Sequence, residues 1–231
     1  MQEPPTGNGP IIHRRLKIFL NSILNGMHDE ILTQKQQELI PLIRIFNRSF
    51  YLVGGTAIAL YLGHRQSIDF DLFNPRTFNR KNIQKKITEN NYHIDKTLIA
   101  TNEEYTLITN DVKLTFYNFP FEIPHPQKYK NIIRLPTLLD LSAMKAYALG
   151  RRAKWKDYVD LYFVLKYHFS LIQICNRATE LFKDLFSEKL FRSQLSFFDD
   201  IDYSEEVNYV VNPVHDEQIM TFLKAVATQA F

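Results

Sequence analysis

Apolar side chains first recur at helical spacing over residues 11–27, where Leu16, Phe19, Leu20, Ile23 and Leu24 share one face and Gly26 closes the run. A second helical run covers 33–46. The period then shortens. Residues 49–53 form a short β-rich run, Gly54-Gly55 stop it, and 56–62 return to helix. Over 67–73, Ile68, Phe70 and Leu72 alternate with Ser67, Asp69 and Asp71, which predicts a strand with its apolar side chains anchored in a core and its polar ones facing away. A basic amphipathic helix is predicted over 79–90, then strands over 92–98, 104–109 and 112–117, with Asn110-Asp111 as a hairpin turn. Pro120, Pro124 and Pro126 make the next stretch irregular and mark a domain boundary. From 136 the pattern is helical almost to the end, with breaks near Gly150, Ser187 and Pro213. The fold class predicted is α+β, a small mixed β-sheet core with flanking helices and then a helical C-terminal half. The predicted division is a disordered tail (1–12), a core with N-terminal helices (13–120) and a mainly helical domain completing a cleft (121–231).

Composition narrows the class. With 45% hydrophobic and 23% charged residues the chain reads as globular, and no apolar run approaches the roughly 18 residues of a membrane span. Residues 1–10 lack the charged-then-apolar order of a secretory signal. The single cysteine, Cys175, excludes an intramolecular disulfide and a cysteine-built metal site, which makes cytoplasmic residence the expectation. A net charge of +3 says little about partners. Its distribution says more: Arg76, Arg80, Lys81, Lys85 and Lys86 crowd one stretch, and Arg151, Arg152, Lys154 and Lys156 another. Such runs serve either as solvated helix faces or as phosphate contacts.

The candidate chemistry lies in 54–71. Asp69 and Asp71 are two apart in a strand, so they share a face about 6.6 Å apart along the backbone, where two carboxylates can converge on Mg²⁺ or Mn²⁺. Before them, strand, Gly54-Gly55-Thr56 and helix form a layout that presents backbone N–H groups and a helix dipole to phosphate. Thr56 can cap that helix or offer its hydroxyl to phosphate. Arg65, after the helix, is a further candidate phosphate contact, with His64 beside it. Later, Lys145 stands in an otherwise apolar stretch, where an unpaired ammonium is costly to bury, and Asp157 and Asp160 share one face of an aromatic-rich helix.

Leu52-Val53-Gly54-Gly55-Thr56, followed by Gly63-His64-Arg65-Gln66-Ser67-Ile68-Asp69-Phe70-Asp71-Leu72-Phe73, resembles the signature of the DNA polymerase β-like nucleotidyltransferases, and more narrowly the AbiEii/AbiGii toxin branch. Asp140-Leu141-Ser142-Ala143-Met144-Lys145-Ala146, with Lys156-Asp157-Tyr158-Val159-Asp160-Leu161-Tyr162, is similar to the second signature of that branch. The resemblance spans about residues 50 to 166. It implies that Gly55 and Thr56 hold a nucleoside triphosphate, that Asp69 and Asp71 bind metal, that Lys145 meets phosphate, and that Asp157 or Asp160 completes the site. It also implies a toxin of a toxin–antitoxin or phage-defence pair, with a cognate antitoxin as partner.

One departure stands out. Many polymerase β-like enzymes carry a third carboxylate on a later strand, where this chain has Thr115, with Asp111 at the strand's start. The catalytic base is left unassigned. Two function classes follow. The first is an enzyme that moves a nucleotide from an NTP to an acceptor, either RNA such as a tRNA end, a protein hydroxyl or a small molecule. The second is a non-catalytic module that keeps the pocket to bind nucleotide or partner. The retained carboxylates and Lys145 favour the enzyme, and the basic clusters favour an RNA acceptor.

Overall fold

A computed structural model describes residues 26–149 and 151–229. The expected tail over 1–12 and nearly all of the helix expected over 11–27 lie outside the described residues. Helix α1 (Gln34–Ile45) begins at Thr33, whose hydroxyl accepts from the Gln36 N–H while the Gln36 side chain accepts from the Thr33 N–H, a reciprocal cap. Strand β1 (Tyr51–Val53) is buried throughout and runs directly into α2 (Gly54–Leu62). That helix ends at Gly63, in the left-handed region at φ +61°, whose N–H bonds Ala59 O at 2.8 Å.

Strand β2 (Asp69–Asn74) buries Phe70 and Leu72. Ile68, expected to anchor beside them, is 51% exposed, because the strand starts only at Asp69 and nothing pairs its backbone into the sheet. Helix α3 (Arg80–Glu89) lays Ile83 and Ile87 on the core and leaves Lys81 and Lys85 exposed. Strands β3 (Lys96–Ala100), β4 (Glu104–Thr109) and β5 (Val112–Asn118) complete a five-stranded sheet of order β1-β2-β5-β4-β3 among the described residues. Asn110 and Asp111 have φ +51° and +57°, the left-handed pair of a type I′ turn. The sheet is mixed: β2 runs parallel to β5, and the other pairs are antiparallel.

The proline-rich stretch is not wholly irregular. Between Pro126 and Pro136 lies a small hairpin of β6 (Gln127–Tyr129) and β7 (Ile133–Leu135), which packs beside β1. Then come α4 (Leu138–Leu149), α5 (Trp155–Tyr167), α6 (Leu171–Phe182), α7 (Glu188–Ser196) and α8 (Asp216–Thr228). Ser187 caps α7, and Pro213 precedes α8, as the sequence suggests; the break at Ser170, a reciprocal cap with Gln173, is additional. The fold is therefore α+β, a mixed sheet with helices followed by a largely helical region.

Two apolar cores result. One joins the inner face of the sheet to α1, to part of α2 and to Leu141, Ala143, Ala178 and Phe182 of the later helices. The other is built by α5, α7 and α8 with the end of α4 and the first half of α6, and it includes Trp155, Tyr158 and Tyr162. Helix α2 packs against β1 and β2 on one side and against α4 and α5 on the other, so it is the hinge-pin between sheet and helices. Among the described residues no helix is long and apolar enough to cross a membrane. Cys175 is buried and its thiol is pushed up to about 12 by burial, so it is an inert apolar filler.

Candidate active site

The site is a cavity of about 580 Å³ between the sheet and α4, with Gly54, Asp71, Lys113, Thr115, Lys145 and Arg152 in its lining. Gly54 is required for two reasons. Its φ is +72°, and a Cβ there would collide with Oδ2 of Asp71. At Gly55 a Cβ would come within 2.7 Å of Nη2 of Arg65. Helix α2 starts without a side-chain cap, since Val53 precedes it, which leaves its first-turn amides for a ligand. Thr56 does not supply the cap. Its hydroxyl donates inward, to the carbonyl of Asp69 and alternatively to Ser67 Oγ at 2.9 Å, and it ties α2 to β2 in the interior.

The parallel register sets Asp69 beside Lys113 and Asp71 beside Thr115. Lys113 Nζ donates to Oδ2 of Asp69 at 2.6 Å. Asp71 has no such partner among the described residues, and burial, then the charge of Asp69, raise its pKa above the ordinary value. Two carboxylates thus share one face with too little positive charge between them. That imbalance suits a hard divalent cation, which Mg²⁺ satisfies with one or two carboxylates, waters and substrate phosphates. Among the described residues no set of three or more His, Cys, Asp or Glu could hold a metal alone. Thr115 occupies the position beside Asp71 with a hydroxyl, and Thr106 on β4 lies next in register. Glu104, which accepts from the Thr106 hydroxyl at 2.6 Å, is the other carboxylate lining this cavity.

The opposite wall carries charge of a different kind. Lys145 Nζ donates to Asp157 at 2.6 Å and lies 3.0 Å from Asp160. Arg65 grips Asp160 with Nε at 2.8 Å and Nη2 at 2.9 Å, and gives Nη1 to the Gln66 carbonyl. It is 2% exposed, so the residue expected at phosphate is spent inside the fold. His64 bonds Asp160 through Nε2 at 2.8 Å, and its buried Nδ1 has no partner among the described residues. Burial, outweighing Asp160, lowers its pKa, so the ring is neutral and Nε2 carries the proton. Burial alone would raise the Asp160 pKa; Arg65, Lys145 and His64 reverse this and hold it well below the usual range. Asp157 also meets Arg152 at 3.1 Å. Lys145 and Arg152 line the cavity, so the network meets it through these two cations.

The two basic clusters divide. Arg151 stacks on Tyr147 and lines the cavity with Arg152, whereas Lys154 and Lys156 pair with Glu205. On α3, Arg80 donates to the Ala100 carbonyl, Lys85 pairs with Glu89, and Lys86 sits over the Phe46 ring. Arg76 lines a second cavity elsewhere. Lys113 was invisible in the sequence, because only the β2–β5 register brings it to Asp69.

A family model described as nucleotidyl transferase AbiEii toxin, type IV toxin–antitoxin system, matches residues 43–226. The chain belongs to that family. A protein of Aquifex aeolicus (strain VF5), aq_aa25, whose function is uncharacterized, is 27% identical over 173 residues, covering 73% of this chain and 82% of its own length. The fold of this AbiEii toxin is similar to that of MenT4, a nucleotidyltransferase toxin of Mycobacterium tuberculosis H37Rv, with a TM-score of 0.58 at 12% identity over 84% of this chain and 82% of that one. It is also similar to JHP933 of Helicobacter pylori, with a TM-score of 0.51 at 18% identity over 87% and 92%. As an AbiEii toxin, the chain is a nucleotidyltransferase with a nucleotide substrate and an antitoxin partner.

Proposed function

We propose that this AbiEii toxin uses Mg²⁺ or Mn²⁺ to transfer a nucleotide from an NTP to a hydroxyl of an RNA acceptor with a tRNA-like end, and that it does so in the cytoplasm. The observation that carries the reading is the undercompensated pair Asp69 and Asp71 beside the uncapped start of α2. Asp69 and Asp71 would hold the metal, which when bound neutralises charge on the triphosphate and the departing pyrophosphate. The first-turn amides at Gly54 and Gly55 bind the triphosphate, and Gly54 lets Asp71 approach that turn. Lys145 and Arg152 face the phosphates from the helical wall. Asp157, Asp160 and Arg65 act on Lys145 by position, holding its ammonium in place through buried ion pairs. In the step itself the acceptor oxygen bonds the α-phosphorus, the α–β bridge breaks, and pyrophosphate leaves with the electron pair. The hydroxyl proton goes to a base, for which Glu104 is the available carboxylate.

The test is to incubate the protein with each labelled triphosphate, Mg²⁺ and total RNA. Label in RNA is the expected result. Label confined to protein would replace the acceptor, and no transfer to any acceptor would overturn the assignment.

A further inference from the structure

At the far end of the β1–β2 pair lies a second cavity, of about 730 Å³. It is bounded by the connection from α1 to β1, by residues 74–77 after β2, and by the β6–β7 hairpin. Arg48, Arg76, Lys128 and Arg134 line it, and none of these four side chains has a hydrogen bond, ion pair or ring contact with a described residue. Lys130 adds a fifth cation, paired with Asp29, and Glu122 is the carboxylate on the lining. Four uncompensated cations around one concavity repel one another and focus a positive potential into it.

A second observation concerns Tyr51. It lines the same cavity, is 2% exposed and stacks on His125 with ring centroids 4.5 Å apart and planes 8° from parallel. Its hydroxyl is buried without a hydrogen-bond partner among the described residues. Buried hydroxyls are rarely left so, and a ligand oxygen is a partner the rest of the cavity is charged to attract. The register pairs Tyr51 with Phe73 and Val53 with Asp71, so Tyr51 and Asp71 stand on the same face of the sheet. Asn74, at the edge of this cavity, is three residues beyond Asp71, about 10 Å along the strand.

We propose that this cavity binds the sugar–phosphate backbone of the polynucleotide acceptor, a short way along the strand from the end that enters the carboxylate cleft. The proposal rests on the RNA-acceptor reading and adds where the acceptor is held. Three of the lining cations that have no partner are arginines, whose planar forks match phosphate oxygens. Continuity with the carboxylates along one sheet face favours an acceptor over an unrelated anion. The clusters on α3 and around 151–156 are less suited, because most of their cations are already paired.

The test is equilibrium binding of a short single-stranded RNA to the full chain over a series of salt concentrations. The comparison is between wild type and the triple variant Arg48→Gln, Lys128→Gln, Arg134→Gln. All three positions are exposed, so the fold is retained. The expected result is a salt slope shallower by about two and an affinity at least about tenfold weaker, with Mg²⁺–NTP binding in the cleft unchanged. If wild type binds RNA and the variant matches it in slope and affinity, this cavity is overturned and the RNA acceptor stands. If wild type binds no RNA, the acceptor reading and this proposal both fall. Inorganic tripolyphosphate separates the sources of phosphate: binding that the variant abolishes, without any RNA binding, overturns the polynucleotide assignment in favour of a small polyphosphate.

Discussion

The cleft has two acidic walls, each with an Asp pair, and they differ in what surrounds the charge. On β2, Asp69 has one lysine and Asp71 has no direct cation among the described residues, and Asp71 lines a cavity that a ligand can enter. On α5, Asp157 and Asp160 are enclosed by Lys145, Arg65, Arg152 and His64, with Asp160 fully buried. The first pair stores an unmet demand for positive charge. The second has its demand met within the chain. Burial of a carboxylate is therefore no guide to its role; what matters is whether the fold itself supplies the counter-charge.

The largest effect expected is on activity. Asp71→Asn should lower transfer by at least about a thousandfold while leaving the unfolding midpoint unchanged or higher, because burial and Asp69 already disfavour the charge it removes. Wild-type turnover in that variant would break the comparison on the sheet side. Asp160→Asn should do the reverse in kind, costing about 3–5 kcal/mol in urea unfolding by leaving Arg65 buried without its counterion. A variant as stable as wild type would show that the helical network does not support the fold.

Much of the sheet side is legible in the sequence because its signals are local. The alternation around Asp69 and Asp71 and the Asn110-Asp111 turn each sit within a few residues of what they specify. The pairing of Arg65 with Asp160 is not legible, since it joins residues 95 apart in the chain. A loop arginine before a strand carries no mark that it will be drawn into a helix interface. Lys113 is hidden for the same reason. β3 begins later than its apolar pattern suggests because every one of its residues is exposed, so burial imposes no register, and a bulge near Thr97 shifts it further. The three-residue strands β6 and β7 are too short to show a period.

Smaller effects sharpen the comparison. Gly54→Ala places a methyl group against Asp71 and strains a residue at φ +72°, which should cost about 1–3 kcal/mol and reduce transfer as well. Retained activity with Asp71 undisplaced would remove the close approach from the account. The least effect belongs to Glu205 at the outer margin of the helical wall. Burial raises its pKa, but Lys154 and Lys156 more than reverse this and hold the carboxyl down to about 2. The folded pKa lies below the ordinary 4.5, so its stabilisation is complete above about pH 4.5 and drains as pH falls towards 2. With side chains about one-third exposed, Glu205→Gln should cost about 0.2–1 kcal/mol at neutral pH and nothing near pH 2, read from unfolding midpoints across that range.

Mn²⁺ binding in the presence of NTP, followed by electron paramagnetic resonance on wild type, Asp71→Asn and Glu205→Gln, tests the division of the two walls most directly. Wild type and Glu205→Gln should bind the ion alike, and Asp71→Asn should lose it while remaining folded. Equal binding by all three proteins would contradict the assignment of the β2 carboxylates to metal and, with it, the account of how this toxin transfers a nucleotide.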